Sequence, residues 1–219
     1  MKVVGKKIPH DSAIGHVTGE ALFVDDLPSS KNELIVDYIA SPFAHGKIKS
    51  INSEELSKLE GIVGVYTYRD IPGHNLYGPV IKDEYILAEK IVEYIGQPIA
   101  IIAGESAKAV RKAKKKLRLI IEELKPILTI DEAIKAKKFL GNSSQFKQGD
   151  FETVWNESQL KLKGTFICNG QEQFYLESQS AIAWPREQDE ILVHSSTQNT
   201  TEIQEVVADA LLLNFNKVI

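Results

Sequence analysis

The sequence predicts an α+β fold of mixed α/β type, built from short strands and helices that follow one another along most of the chain. Two observations predict it: β-prone apolar runs recur between turn residues, and stretches with a 3.6-residue apolar period stand among them. Composition agrees with a globular protein, because 43% of the 219 residues are hydrophobic and 26% are charged. A chain of this length can form one large domain or two modest ones.

The first elements are predicted to be strands around one short helix. The β-prone runs GEALFVDDLP (19–28) and ELIVDYIASP (33–42) flank a polar turn, and each ends at a proline, which cannot continue a central strand. NSEELSKLEG (52–61) predicts a short helix with Ser53 as its N-cap and Gly61 at its end. IVGVYTYRDIPG (62–73) predicts another strand that leads into a Pro-Gly turn.

A strand, a helix and a strand are then predicted in succession. QPIAIIAGES (97–106) is a continuous apolar run, typical of a strand buried on both faces. From Ser106 onward a helical period places Ala109, Val110, Ala113 and Leu117 on one face. RLIIEEL (118–124) returns to strand character. This order indicates a right-handed βαβ-type unit, although the exact strand order stays open.

The second half contains a polar tract and then more strands. PILTIDEAIKAKKFLGNSSQFKQGD (126–150) predicts a helix near Asp131 followed by a linker. Strands are predicted within 152–170 (ETVWNESQLKLKGTFICNG), in AIAWP (181–185) and in EILVHSS (190–196). A last helix is predicted from Thr201, where Thr201 and Gln204 have the spacing of a capping box. Its apolar stripe comprises Ile203, Val206, Val207, Ala210 and Leu211.

Charge and apolar patterning give no support for a nucleic-acid or membrane partner. The formal net charge is −4, and helical spacing places most lysines of RKAKKKLR (111–118) on a solvated face without aromatic neighbours. No apolar run approaches the roughly 18 residues of a membrane span, and the N-terminus lacks the apolar core of a signal peptide. Cys168 is the single cysteine, so no internal disulfide is possible, and we expect a cytoplasmic protein.

Few side chains form a recognisable catalytic or metal-binding pattern. The histidines lie apart along the chain, so a metal site made of protein side chains is disfavoured. They stand at positions 10, 16, 45, 74 and 194. In QEQFYLESQ (171–179), strand alternation would place Gln173, Tyr175 and Glu177 on one polar face near Glu172. Structural hydrogen bonding is favoured there over catalysis.

The run HSSTQNTT (194–201) is the remaining candidate site. A strand end is followed there by a helix start, where free backbone N–H groups and a positive dipole end suit anionic or oxo groups. The simpler alternative is that Thr200 or Thr201 caps the helix and the other residues form a turn.

Several blocks of sequence together resemble the xanthine dehydrogenase and aldehyde oxidase family, from about Pro9 onward and in that family's order. These blocks are PHDSAIGHVTGEALFVDDLP, SPFAHGKI, GIVGVYTYRDIPGHN, YIGQPIAIIAGES, NGQEQFYLESQSAIAWP and VHSSTQNTTEIQEVVADAL. The resemblance implies an a/b hammerhead domain at 1–128, a linker at 129–149, and the first part of a molybdenum-cofactor-binding domain at 150–219. In this family, molybdenum enzymes hydroxylate purines, other N-heterocycles or aldehydes with oxygen drawn from water.

The resemblance also implies which residues of this chain carry function. Gln198 matches a glutamine whose side-chain amide lies against an oxo ligand of the molybdenum centre, and an amide N–H can hold such a group without adding charge. Gln173 stands where the family often has histidine. No catalytic residue is assigned in this chain, and no protein side chain is expected to bind the metal directly.

The family's members continue beyond the NKVI segment (216–219) through further cofactor-binding segments to a glutamate that acts as general base. We therefore expect this chain to be an N-terminal portion of such a subunit that is inactive alone. The expected cofactors are molybdenum–molybdopterin in the complete subunit and iron–sulfur clusters and FAD on partner subunits or domains. The alternative is a non-catalytic hammerhead module for binding or assembly.

Overall fold

The computed structural model describes residues 4–141, 144–173, 175 and 179–219. The helices with their bounds are α1 (Ala13–Thr18), α2 (Ser53–Ser57), α3 (Ala107–Lys114), α4 (Ile130–Ala136), α5 (Phe151–Glu157) and α6 (Thr200–Leu211). The strands are β1 (Ile35–Ala40), β2 (Gly46–Ile51), β3 (Ile62–Thr67), β4 (Leu76–Tyr77), β5 (Glu84–Tyr85), β6 (Ile91–Val92), β7 (Pro98–Gly104), β8 (Leu119–Glu123), β9 (Ala181–Pro185) and β10 (Ile191–Ser195). This mixture of helices and short strands is the α+β class that the sequence predicts.

The strands of the described chain form two larger antiparallel sheets and two hairpins. One sheet has the order β1-β7-β3 and the other β6-β2-β8, while β4 pairs with β5 and β9 with β10. In the first sheet Ile102 of β7 stands opposite Asp37 on β1 and Val65 on β3. The apolar run of β7 is thus the central strand of its sheet.

The core lies on both faces of β7. On one face, Ala100 and Ile102 pack with Leu56 of α2 and with Val110 and Ala113 of α3. On the other face, Ile99 joins a second cluster that continues into the β6-β2-β8 sheet. Ala100 and Ile102 on one face are 0% exposed and Ile99 on the other face is 2% exposed, so the predicted burial of this strand on both faces is confirmed.

The strand order differs from the βαβ arrangement that the sequence indicates. β7 and β8 belong to different sheets, and every neighbour of β7 is antiparallel to it. A strand that is buried on two faces has a continuous apolar sequence whether helices or another sheet cover the second face. Here a second sheet's apolar cluster covers it, where a parallel fold would use another layer of helices.

Two predicted strand regions are wrong. Residues 24–26 form a 3-10 turn, since the Asp26 carboxylate accepts the Phe23 N–H at 3.0 Å and this local bond competes with a strand ladder. The strand-like segment 152–170 begins instead with α5, whose N-cap Asp150 accepts the Thr153 N–H at 3.2 Å. Residues 158–170 contain no regular element.

By residue contacts the chain divides into two compact units. One comprises residues 1–126 and 178–219, and the other residues 127–177. The first unit contains both larger sheets, both hairpins and α6, while the second contains α4 and α5. The boundaries at 128/129 and 149/150 stay a prediction.

Candidate functional site

The candidate loop leaves the end of β10, and Ser180, directly before β9, holds it by hydrogen bonds. The Ser196 N–H donates to Ser180 O at 3.0 Å, and the Ser180 N–H donates to Ser196 Oγ at 2.9 Å. Thr197 Oγ1 then accepts the Asn199 N–H at 3.2 Å, which turns the chain into α6. Gln198 lies at the bend of this loop with its side chain exposed.

Asn199 caps α6, so the predicted capping by Thr200 or Thr201 is wrong. The Asn199 side-chain oxygen accepts the Glu202 N–H at 3.1 Å, and its amide donates to Glu202 Oε2 at 3.2 Å. Gln204 is not part of a capping box. Its amide donates to Phe215 O at 3.2 Å and to Val218 O at 2.6 Å. The glutamine therefore ties the helix to the chain that follows it.

The chain after α6 pairs in parallel with β10. Val218 bridges Ile191, the Ile219 N–H donates to Ile191 O at 2.9 Å, and the Val193 N–H donates to Ile219 O at 2.8 Å. The chain thus leaves β10, passes through α6 and returns to a parallel bridge beside β10. Ligands bind at the carboxyl ends of such strands, which is where Gln198 lies.

This loop has the chemistry to hold a polar or oxo group. The first N–H groups of an α-helix lack partners inside the helix, and Asn199 satisfies only that of Glu202. The positive end of the helix dipole lies at the same place. Gln198 adds a neutral amide that can donate and accept. The site can therefore bind an oxygen-rich group without a formal positive charge.

A second cluster lies at the opposite end of α6, and sequence reasoning missed it. His74 Nδ1 donates to Asp209 Oδ1 at 2.7 Å, and Lys82 Nζ donates to Asp209 Oδ2 at 3.0 Å. These two hydrogen bonds, that of His74 first, hold the pKa of the Asp209 carboxyl below its usual value. More than 120 residues separate the partners along the chain, so no local pattern could have indicated the contact.

The other histidines have separate local contacts. His10 Nδ1 lies 2.8 Å from Ser12 Oγ, and His45 Nδ1 lies 3.1 Å from Lys125 O. The His16 ring lies 5.9 Å from that of Phe23, and the His194 ring meets Trp184 edge-on at 5.2 Å. Across the described residues, no group of three or more His, Cys, Asp and Glu side chains could hold a metal ion.

The other candidate residues lie in separate segments of the described chain. Glu172, Gln173 and Tyr175 are exposed and lie outside any strand, so the predicted strand face is wrong there. Glu177 lies outside the described residues.

Within the basic helix α3, Lys114 pairs with Asp37 at 2.6 Å, while Lys112 is exposed. No helix in the described ranges is long and apolar enough to cross a membrane.

Comparison with known proteins defines the class. Residues 18–125 match the family described as "Aldehyde oxidase and xanthine dehydrogenase, a/b hammerhead domain", and residues 134–219 match the molybdopterin cofactor-binding domain. Together the two matches place the chain in the class of molybdenum hydroxylases. The chain belongs to the xanthine dehydrogenase and aldehyde oxidase family, which confirms the predicted family and fold class.

Curated relatives match nearly the whole chain. Xanthine dehydrogenase of Emericella nidulans is 37% identical over 221 residues, which cover 100% of this chain and 16% of that protein. Aldehyde oxidase 4 of Cavia porcellus is 36% identical over 217 residues, which cover 98% of this chain and 16% of that protein. The chain thus spans about a sixth of the length of these relatives.

Solved structures share the fold at low sequence identity. The aldehyde oxidoreductase from Desulfovibrio gigas superimposes with a TM-score of 0.79 at 21% identity, covering 98% of this chain and 26% of that chain. The Cu,Mo-CO dehydrogenase superimposes with a TM-score of 0.80 at 20% identity, covering 98% of this chain and 30% of that chain. At such identities the likeness shows the fold alone.

Proposed function

We propose that this chain serves as part of a molybdenum hydroxylase subunit that oxidises purines, related N-heterocycles or aldehydes with oxygen derived from water. The observation that carries the proposal is the position of Gln198. It lies exposed at the carboxyl end of β10, directly before α6, within the range that matches a molybdopterin cofactor-binding domain. Relatives named xanthine dehydrogenase and aldehyde oxidase support the two substrate classes.

The residues of the loop fit a molybdenum cofactor. A metal that an organic pterin holds needs hydrogen-bond donors around it more than protein ligands. Gln198 provides a neutral amide N–H, and the first turn of α6 provides backbone N–H groups. When bound, the cofactor supplies the redox chemistry of hydroxylation. The Gln198 amide and the backbone N–H groups of α6 orient the cofactor, and because they are neutral they add no charge to the site.

The complete reaction requires groups beyond these residues. We assign no catalytic base in this chain, and we propose that the 219 residues alone do not turn over substrate. Iron–sulfur clusters and FAD on partner subunits or domains would receive the electrons. We propose neither a nucleic-acid nor a membrane partner, and we place the protein in the cytoplasm.

Substitution of Gln198 tests the cofactor contact. In a polypeptide that joins this chain to the later segments of a family member, we expect Gln198→Ala to lower molybdenum occupancy or turnover by about 10- to 100-fold, as loss of an outer-shell partner does. Metal analysis and steady-state kinetics measure these quantities. Gln148→Ala, at an exposed glutamine in another part of the chain, is the matched control. Equal occupancy and equal rates in both variants would refute the assignment.

Metal analysis of the 219-residue chain separates this function from the alternative of a non-catalytic module. We expect little molybdenum in the chain purified alone and stoichiometric molybdenum once the later segments are joined to it. Stoichiometric molybdenum in the isolated chain would contradict the expected inactivity. A joined polypeptide that folds, binds its iron–sulfur and FAD partners and still takes up no molybdenum would favour the assembly module.

A further inference from the structure

The C-terminal end of α6 is held by two loops from the hammerhead range, one before β4 and one between β4 and β5. The last carbonyl groups of a helix have no partner inside it. Two of them are capped here from far away in sequence: the Gly73 N–H donates to Ala210 O at 2.9 Å, and the His74 N–H donates to Asp209 O at 3.3 Å. The side-chain bonds of His74 and Lys82 to the Asp209 carboxylate close the same contact. We call residues 73, 74, 82, 209 and 210 the α6 latch.

Only glycine fits at position 73, where the loop approaches the backbone of α6. A Cβ atom at position 73 would lie 2.0 Å from Asp209 O and 3.0 Å from Ala210 O, both of them backbone atoms of the helix. Any side chain there must push the loop and the helix apart. The close approach, more than any special backbone angle, therefore requires glycine.

The charges of the latch favour the same arrangement. The C-terminal end of a helix carries partial negative charge, and Asp209 adds a full negative charge beside it. Lys82 lies 3.0 Å from Asp209 Oδ2 and 3.7 Å from Glu205 Oε1, so one ammonium group compensates two carboxylates of the helix. The side chain of Asp209 is 26% exposed and that of Lys82 is 49% exposed, so water and salt partly screen this pair and the close backbone contact at Gly73 carries more of the latch.

We propose that Gly73, His74 and Lys82 are positioning residues that fix α6, and through it the Gln198 loop, against the hammerhead sheets. The helix has 12 residues and is about 18 Å long, and its interior is a continuous run of hydrogen-bonded turns. A constraint at Asp209 is therefore transmitted to the first turn, where the loop ends. Gln204 and the Ser180–Ser196 bonds restrain the loop from its own side. The link to the cofactor rests on the proposed function, whereas the latch itself does not.

Distance measurements between spin labels test the latch in the 219-residue chain. Cys168→Ser removes the native thiol, and Lys112→Cys on α3 with Thr201→Cys on α6 gives two exposed labelling sites. We expect one narrow distance distribution in the otherwise unchanged chain. Gly73→Ala and Asp209→Asn should each broaden or split it. A reference pair at Lys112 and Ser50, both within the hammerhead range, should stay narrow.

Two control variants separate the latch from general effects of substitution. Asp83→Asn removes a negative charge from an exposed position in the loop that carries Lys82. Gly164→Ala adds a methyl group where no atom lies within 4 Å. Both should leave the Lys112–Thr201 distribution narrow. Should Gly73→Ala fail to fold, Asp209→Asn carries the test. An unchanged distribution in every folded latch variant overturns the proposal.

The consequence for the cofactor is measured separately in the joined polypeptide. We expect Asp209→Asn to lower molybdenum occupancy, while Asp83→Asn does not. If the distribution broadens and occupancy stays unchanged, the latch exists but does not position the cofactor loop, and this part of the inference is wrong. The result for Gln198→Ala decides the proposed function independently, because that substitution leaves every latch contact in place.

Discussion

Ile102 lies in the hydrophobic core of the β1-β7-β3 sheet. It is 0% exposed, stands on the central strand between Asp37 and Val65, and packs in the same cluster as α2 and α3. We expect Ile102→Ala to lower the free energy of unfolding by about 2–5 kcal/mol, the cost of lost burial plus a cavity. Ile120→Ala, at a 59% exposed isoleucine of β8, should cost within about 0.5 kcal/mol. Urea unfolding measures both, and equal losses would contradict the assigned core.

Single residues also show where sequence reasoning reaches its limit. The burial of Val110 and Ala113 follows from apolar periodicity, because a helix packed on a sheet must turn such a face inward. The cap of α6 does not follow from the sequence. Asn199, Thr200 and Thr201 can all cap a helix, and the direction in which the chain leaves β10 selects the first of them. Physical patterns in the sequence indicate the loop as a whole, and only the family resemblance indicates Gln198 within it.

At the scale of elements, the start of α6 depends on one side chain. Asn199 makes the cap bond to the Glu202 N–H, and Thr201 lies exposed in the first turn. We therefore expect Asn199→Ala to lower the free energy of unfolding by about 1 kcal/mol, the usual cost of losing a cap. Thr201→Ala is the matched control and should change stability by no more than about 0.5 kcal/mol. Chemical unfolding followed by circular dichroism measures both, and a larger loss for Thr201→Ala would place the cap at Thr201.

Elements with strong local signals could be predicted, and those that depend on distant partners could not. The predicted strands at β1, β3, β7 and β10 and the helices α3 and α4 are confirmed. The strands β4, β5 and β6 are only two residues long and form because partner strands of the same chain lie beside them. The parallel pairing of Val218 with β10 likewise depends on where α6 returns the chain.

At the scale of the whole molecule, contacts join distant stretches of the sequence. The unit made of residues 1–126 and 178–219 holds the hammerhead strands and the candidate loop together. Trp184 Nε1 donates to Ser30 Oγ at 3.2 Å, and the α6 latch adds a second contact of the same kind. Sequence periodicity reports burial but not the identity of the partner. The family resemblance gave the order of the domains, whereas the latch that joins them came from the structure alone.

The latch makes the stability of this unit depend on pH through Asp209. Hydrogen bonds from His74 and Lys82 lower the pKa of Asp209 from its usual 3.8. A group with a lowered pKa in the folded state contributes stability that is present above its unfolded pKa and is lost as pH falls through the folded value. We therefore expect the difference in unfolding free energy between the unchanged chain and Asp209→Asn to be constant near neutral pH and to shrink below about pH 4.

Ile102→Val is the control, because it lowers stability without removing a titratable group, and its difference should not vary with pH. Urea unfolding between pH 3 and 7 measures these differences. A difference for Asp209→Asn that stays constant down to pH 3 would show that the carboxylate contributes nothing to the latch.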